Sequence, residues 1–235
     1  MENFPDVFIL CGGQGTRFRE VREDIPKVLA PINGVPFIDL LFNELVDQKC
    51  GRIILGTGYL SDQIETHIQH RQDAEYFISR ENQPLGTGGA IRHALPLFQS
   101  EQILVMNGDS YIAFCIETLL NFHQAQQAEA TILLSAKMEG KDYGNVELGL
   151  NHTILSFQEK PKETGTFLIN SGVYCLQKKL IKKQVEATAS LERDWFPQWL
   201  KCNRVVGLVL EDYFYDIGTK ERFELAEKKF EQRRC

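Results

Sequence analysis

The sequence predicts an α/β domain organised around a parallel sheet. Short apolar runs alternate with helix-period segments through the first half. A glycine-rich turn follows the first of those runs, and the 235 residues contain neither an internal repeat nor a low-complexity linker. Strands alternating with helices build βαβ units, whose strands run parallel. In such sheets ligands sit beyond the carboxyl ends of the strands.

Residues 7–11 read as the first strand, and 37–48 as a helix with apolar residues at 37, 38, 40, 41, 45 and 46. Residues 52–56 are a second strand, and 61–70 a helix that Ser61 would cap. A third strand at 74–78 precedes a helix at 89–98, a fourth at 102–106 a helix at 116–126, and a fifth strand covers 130–136. The second half is less regular. Residues 145–150 and 153–157 suggest a hairpin around Asn151 and His152, and 167–176 another strand. Ser190 is a candidate cap in "SLERDWFPQWL", although Arg193 stands where a capping box wants Glu, and Pro197 interrupts the pattern. Short strands at 205–210 and 213–217 lead to a final helix from about Thr219 to Arg233.

Composition narrows the function. The hydrophobic fraction of 43% and charged fraction of 25% are ordinary for a globular chain. A formal net charge of −6 argues against bulk attraction to nucleic acid. Lys228, Lys229, Arg233 and Arg234 suit the last turns of a helix, where cations complement its dipole. Six cysteines, at 11, 50, 115, 175, 202 and 235, form no C-x-x-C pair, so they read as reduced core residues. No apolar run approaches ~18 residues, and the first six residues lack the parts of a signal peptide, so no membrane partner and a cytoplasmic location are expected.

The stretch "LCGGQGTRF", residues 10–18, resembles a strand entering a phosphate loop, yet two familiar loops fail. The dinucleotide fingerprint breaks at Phe18, which excludes a plain dinucleotide oxidoreductase. Walker A fails because Asp142 follows Gly140-Lys141. What distinguishes this loop is Arg17 beside Gly12, Gly13 and Gly15, with Lys27 following in "DIPKVLAPI". Backbone N–H groups, an Arg fork and a mobile Lys together suit a triphosphate; alone, Lys27 would pass for a surface lysine.

Asp109 ends the strand "ILVMNGD", and Asp216 follows "DYFY". Carboxylates at strand ends suit Mg²⁺, which prefers a few carboxylates plus substrate phosphates. The plainer readings are a turn residue for Asp109 and a helix cap for Asp216. In "FQEKP", Lys160 could meet a phosphate and Glu159 a sugar hydroxyl, or the two could be a solvated pair. His67 and His70 read as surface residues, and no Ser-His-Asp or Cys-His pairing emerges.

The motifs "LCGGQGTRF", "DIPKVLAPINGVPF", "PLGTGGAI", "NGDS", "FQEKP", "INSGVY" and "YDIGT" occur in the order found in sugar-1-phosphate nucleotidyltransferases, and the chain resembles that family from Val7 to about Ala226. Within it, "YGNVEL" and "SLERDWFP" look most like the D-glycero-D-manno-heptose 1-phosphate guanylyltransferases. The resemblance implies a Rossmann-like, GT-A-like fold with a mixed, mostly parallel sheet flanked by helices. It implies one domain over 1–235, with a nucleotide-binding part to about 136 and a sugar-phosphate-binding part beyond.

Carried over by motif, Arg17 and Lys27 would hold the nucleotide phosphates over Leu10, Gly12, Gly13, Gly15 and Thr16, and with Asp109 would be the catalytic groups. Glu81, Gly86, Thr87 and Gly88 would line the base and ribose pocket near Asn107 and Gly108. Asp109 and Asp216 would hold Mg²⁺. Gly144, Glu159, Lys160, Asn170 and Asp216 would meet the sugar phosphate. Phe18 and Val28 depart from commoner residues, leucine and proline, without touching the charged groups. The family's longer members add a β-helix domain, not expected here. The implied partners are a nucleoside triphosphate and a sugar 1-phosphate; GTP or UTP/dTTP, a non-catalytic regulatory subunit on the same fold, and a homo-oligomer all stay open.

Overall fold

A computed structural model describes residues 4–13, 24–138, 145–158 and 168–233. The strands β1 (Asp6–Leu10), β2 (Pro31–Ile32), β3 (Val35–Pro36), β4 (Arg52–Thr57), β5 (Glu75–Arg80), β6 (Gln102–Asn107) and β7 (Ser110–Tyr111) fill the first half. Between them lie α1 (Phe37–Asp47), α2 (Ser61–Ile68) and α3 (Gly86–His93). Then follow α4 (Ile116–Ala125), β8 (Ala130–Met138), β9 (Asn145–Leu148), β10 (Ile154–Gln158), β11 (Leu168–Gln177), α5 (Lys178–Lys182), α6 (Phe196–Cys202), β12 (Val205–Asp216) and α7 (Lys220–Arg233).

The main sheet runs β5-β4-β1-β6-β11-β8-β12-β7. Six of those eight strands point the same way, since only β11 and β7 are antiparallel to their neighbours. The predicted α/β class and mostly parallel sheet are therefore present. Alternation along β1 explains the layering. Val7 and Ile9 join one apolar cluster with α1, α2, α4 and α7, while Phe8 joins another with α3, α5 and α6. A strand buried on both faces needs an unbroken apolar run, which "VFIL" supplies. Chain order turns back at β1, with β4 on one side and β6 on the other, and a ligand crevice belongs at that switch point.

Several boundaries differ from expectation, each for a local reason. Ser61 is the first residue of α2 rather than its cap: Leu60 precedes it in the left-handed region, and the Ser61 hydroxyl bonds Thr57 (2.8 Å) and Glu65 (2.7 Å). Helix α3 starts earlier, at Gly86, and ends at His93, where Pro96 allows only a short 3-10 turn. The two strands read at 205–210 and 213–217 are one strand, β12, with an irregular register between Leu210 and Tyr213. The hairpin forms as expected, with Asn151 and His152 at φ 54° and 61°. Ser190 does cap, accepting from the Arg193 N–H at 3.1 Å, but the turn it opens, Leu191–Trp195, is a π-turn that runs into α6. Among the described cysteines, Cys11, Cys50 and Cys175 are buried as expected, whereas Cys115 and Cys202 are exposed. His67 is only half-buried but not free, lying 2.8 Å from Asp39. No described helix is long and apolar enough to cross a membrane.

His123 on α4 is 1% exposed; its Nδ1 lies 2.8 Å from the Thr131 hydroxyl, and its Nε2 has no protein partner among the described residues. Burial holds its pKa down at about 4, against 6.5 normally. The unfolded chain therefore takes up a proton below pH 6.5 that the folded chain resists until about pH 4. Stability is unaffected above pH 6.5 and is lost as pH falls through that window, by about 2 kcal/mol between pH 7 and 5. Urea denaturation at pH 7 and 5 tests this: His123→Gln should lose correspondingly less stability than wild type over the same interval, and an equal loss in both would refute it.

Candidate active site

The switch point holds a cavity of about 560 Å³. Its floor is the junction of β1 and β6. The Gly108 N–H donates to the Leu10 carbonyl at 3.0 Å, and a Cβ on Gly108 would lie 2.7 Å from that oxygen and 3.1 Å from the Cys11 sulfur. Only glycine lets the two strand ends meet so closely. The junction sets Asn107 and Asp109 beside Gly12 and Gly13 in the cavity wall.

Lys27, on a 3-10 turn (Lys27–Leu29), places its ammonium 2.5 Å from Asp109 Oδ2. Its side chain is 16% exposed and that of Asp109 is 38%, so the pair borders the cavity rather than the open surface. The surface-lysine reading of Lys27 is thereby set aside. Asp109's charge and burial together push the Cys11 thiol far above its ordinary pKa, burial contributing most, which leaves it an inert wall.

Glu81, in the same cavity lining, follows β5. Its carboxylate accepts from the Leu85 N–H at 3.0 Å and faces Gly12, whose Cβ would sit 3.4 Å from Oε1. Burial raises the pKa of Glu81, and the Leu85 N–H and nearby His93 offset part of that rise. Gly86 and Thr87 line the same wall. Gly86 takes φ +73°, and a Cβ there would meet the Ala189 carbonyl at 2.5 Å, so this turn also requires glycine. Gly88 differs from expectation: it is absent from the cavity lining, its N–H donates to the Ala189 carbonyl at 2.9 Å, and Trp195 covers it.

Asp216 reaches the same end of the sheet by a different route. It pairs with Ser110 in the β12–β7 ladder, and the next residue, Ile217, donates to the Asp109 carbonyl at 3.0 Å. Its carboxylate accepts from the Gly218 N–H at 2.8 Å and meets Arg222 Nη1 at 3.2 Å. Neither of these bonds is to a backbone N–H of α7, so Asp216 is not its cap; that role falls to Thr219, whose hydroxyl accepts from the Arg222 N–H at 3.4 Å. Asn170, on β11, donates to the Tyr174 hydroxyl at 2.9 Å and accepts from the Gly172 N–H at 3.0 Å. Gly15, Thr16, Arg17, Gly144, Glu159 and Lys160 lie outside the described residues.

Sequence reasoning missed two groups. Arg222 lies in the first turn of the final helix, whose cations the sequence singles out only near its far end. Glu192 sits in "SLERDWFP", which the sequence marks only by its capping serine; its carboxylate accepts from the hydroxyls of Thr87 (2.8 Å), Ser190 (3.0 Å) and Tyr174 (3.1 Å). An acid two residues after a capping serine was the available signal.

Comparison with known proteins places the chain in a family. A family profile described as "Nucleotidyl transferase" matches residues 7–233. The D-glycero-alpha-D-manno-heptose 1-phosphate guanylyltransferase of Aneurinibacillus thermoaerophilus is 31% identical over 228 residues, covering 96% of this chain and 98% of that protein. Its namesake from Campylobacter jejuni is 32% identical, covering 92% and 96%. The crystal structure of HddC from Yersinia pseudotuberculosis complexed with GMP-PN superposes with a TM-score of 0.84 at 34% identity, over 97% of this chain and all of that one. The match runs along nearly the whole chain and includes every strand that frames the cavity, and the chain belongs to the nucleotidyl transferase family as a sugar-1-phosphate nucleotidyltransferase.

Proposed function

We propose that this enzyme transfers a guanylyl group from GTP to a sugar 1-phosphate, with D-glycero-α-D-manno-heptose 1-phosphate the favoured acceptor. The observation that carries the reading is the cavity itself, whose lining brings together the Lys27–Asp109 pair, the Glu81 carboxylate and the glycines Gly12 and Gly13. The names of the relatives favour guanine and heptose over other bases and sugars.

The reaction is an in-line displacement. An oxygen of the sugar phosphate attacks the α-phosphorus, the bond to the β-phosphate oxygen breaks, and pyrophosphate leaves with the electron pair. Both reactants are anions, so charge compensation and alignment supply most of the acceleration. Lys27 is placed to move from Asp109 to the nucleotide phosphates, and Arg17, beyond the described residues, is assigned the same task. Asp109 and Asp216 would hold Mg²⁺: the backbone bond from Ile217 to Asp109 sets the two acids at one end of the sheet, and two hard oxygen donors would leave phosphate oxygens to complete the shell. When bound, Mg²⁺ would neutralise charge developing on the phosphates. Asn170 faces the sugar in this reading, together with Gly144, Glu159 and Lys160.

Guanine offers two N–H donors on one edge, and a carboxylate accepts both. The Leu85 N–H uses one lone pair of Glu81 Oε2, leaving acceptor capacity on both oxygens. Glu81→Gln should therefore raise KM for GTP about tenfold with a smaller change in kcat, since a hydrogen bond to a charged group is worth ~1.5–3 kcal/mol. Activity with UTP or dTTP should change less. An unaltered GTP/UTP preference would remove Glu81 from base recognition.

The test of the whole reading is pyrophosphate release with Mg²⁺ across GTP, UTP, dTTP, CTP and ATP and a panel of sugar 1-phosphates. Release confined to GTP and the heptose phosphate supports the proposal. Another productive pair corrects the specificity, and nucleotide-sugar binding without turnover points to a regulatory subunit.

A further inference from the structure

Glu192 is half-buried, and the groups that reach its carboxylate among the described residues are hydroxyls. We infer that Glu192 is a positioning residue that fixes the hydrogen-bond polarity of the sugar site, making the Thr87 hydroxyl an acceptor and the Asn170 amide a donor toward the sugar of the sugar phosphate. The inference rests on the transferase reading above.

The argument is a count of protons. A carboxylate only accepts, and each hydroxyl has a single proton to give. Thr87 spends its proton on Glu192 Oε2 at 2.8 Å. Its oxygen then accepts from the Leu191 N–H at 2.7 Å, leaving one lone pair at the cavity wall. Thr87 can therefore greet a ligand hydroxyl but not a bare phosphate oxygen. On the other arm, Tyr174 is 0% exposed and donates to Glu192 Oε1 at 3.1 Å. Burial, and secondarily the charge of Glu192, pushes its pKa well above the usual phenol value, so that proton stays in place. The phenol oxygen must then accept, and it does so from Asn170 Nδ2 at 2.9 Å.

With Oδ1 taking the Gly172 N–H at 3.0 Å, the Asn170 amide is locked in one orientation. One N–H and one lone pair remain for a ligand. Both arms end on the same carboxylate, so Thr87 is left with acceptor capacity only, while Asn170 keeps a free N–H. A sugar hydroxyl can donate to the first or accept from the second; a ring carbon lacking it does neither.

Glu192→Gln replaces one acceptor oxygen with a donor, so at least one arm must reverse. The experiment measures kcat and KM for the best sugar 1-phosphate and its monodeoxy analogues. For wild type we expect the analogue lacking the hydroxyl that meets Thr87 to show a KM raised about tenfold with kcat within about threefold, the usual cost of one buried hydrogen bond. In Glu192→Gln the parent substrate should acquire that higher KM while the analogue hardly changes, collapsing the discrimination to below about threefold. Thr87→Val should collapse it too, and adding Glu192→Gln to Thr87→Val should do little more. Tyr174→Phe should affect only the analogue read by Asn170.

A Glu192→Gln enzyme that keeps the full wild-type discrimination, or loses kcat equally on every acceptor, overturns the inference while leaving the transferase reading intact. Should that variant not fold, Thr87→Val and Tyr174→Phe decide, and unchanged discrimination in both overturns it as well. Wild type inactive on every sugar phosphate removes the functional reading and this inference together.

Discussion

Asp109→Asn should lower turnover by about 10²–10³ while leaving the fold intact, the cost typical of losing one preorganised charge at a reacting centre. The substitution keeps shape, removes the charge and turns one acceptor oxygen into a donor, and the Gly108–Leu10 backbone junction next to it is undisturbed. Stability should change little, because the ion pair with Lys27 borders a solvent-accessible cavity and such pairs contribute ~0–1 kcal/mol. The loss should lie in kcat more than in KM for the nucleotide, since the Glu81 wall and the glycine turn remain. A variant within threefold of wild type would mean that Asp109 merely parks the Lys27 ammonium. In that case Lys27→Met should be far more damaging than Asp109→Asn, which the same pyrophosphate assay would reveal.

Much of this site was legible in the sequence because its parts sit where local rules are strong. A strand buried on both faces must be apolar throughout, and its end is marked where glycine and aspartate begin, as at Asn107-Gly108-Asp109. Glu81 and Lys27 came from ordered motifs. The remainder was invisible for a physical reason. Glu192 meets Tyr174 and Thr87 only after folding, across 18 and 105 residues, and long-range side-chain bonds leave no periodicity behind. Strand β12 read as two because Glu211 and Asp212 are exposed at its irregular register, although the ladder resumes beyond them. Helix α5 has five residues, three of them lysine, too short and too charged to show an apolar stripe.

Trp195→Ala should be the most destabilising single change discussed, at about 3–5 kcal/mol, the range for emptying a large aromatic from a core. Trp195 is 0% exposed and closes the π-turn that leads into α6. Its ring stands 5.5 Å from that of Trp199 and covers Gly88, where a Cβ would lie 2.9 Å from Cε2. That contact explains why Gly88 must be glycine despite lying off the cavity wall. It also links the core to the site, since the same turn carries Glu192 and the same helix carries Thr87.

The indole N–H finds no acceptor among the described residues, so Trp195 is retained for volume rather than for a hydrogen bond. Trp195→Phe, which deletes that donor and part of the volume, should accordingly cost much less than the alanine variant. Urea denaturation of the two variants separates the causes: a midpoint that falls far more for alanine than for phenylalanine, at constant slope, identifies packing as the source. Equal losses would instead place the importance of Trp195 in its N–H. Under the packing account, the folded fraction of Trp195→Ala should also show a raised KM for the sugar phosphate, because the turn that holds Glu192 would lose its support.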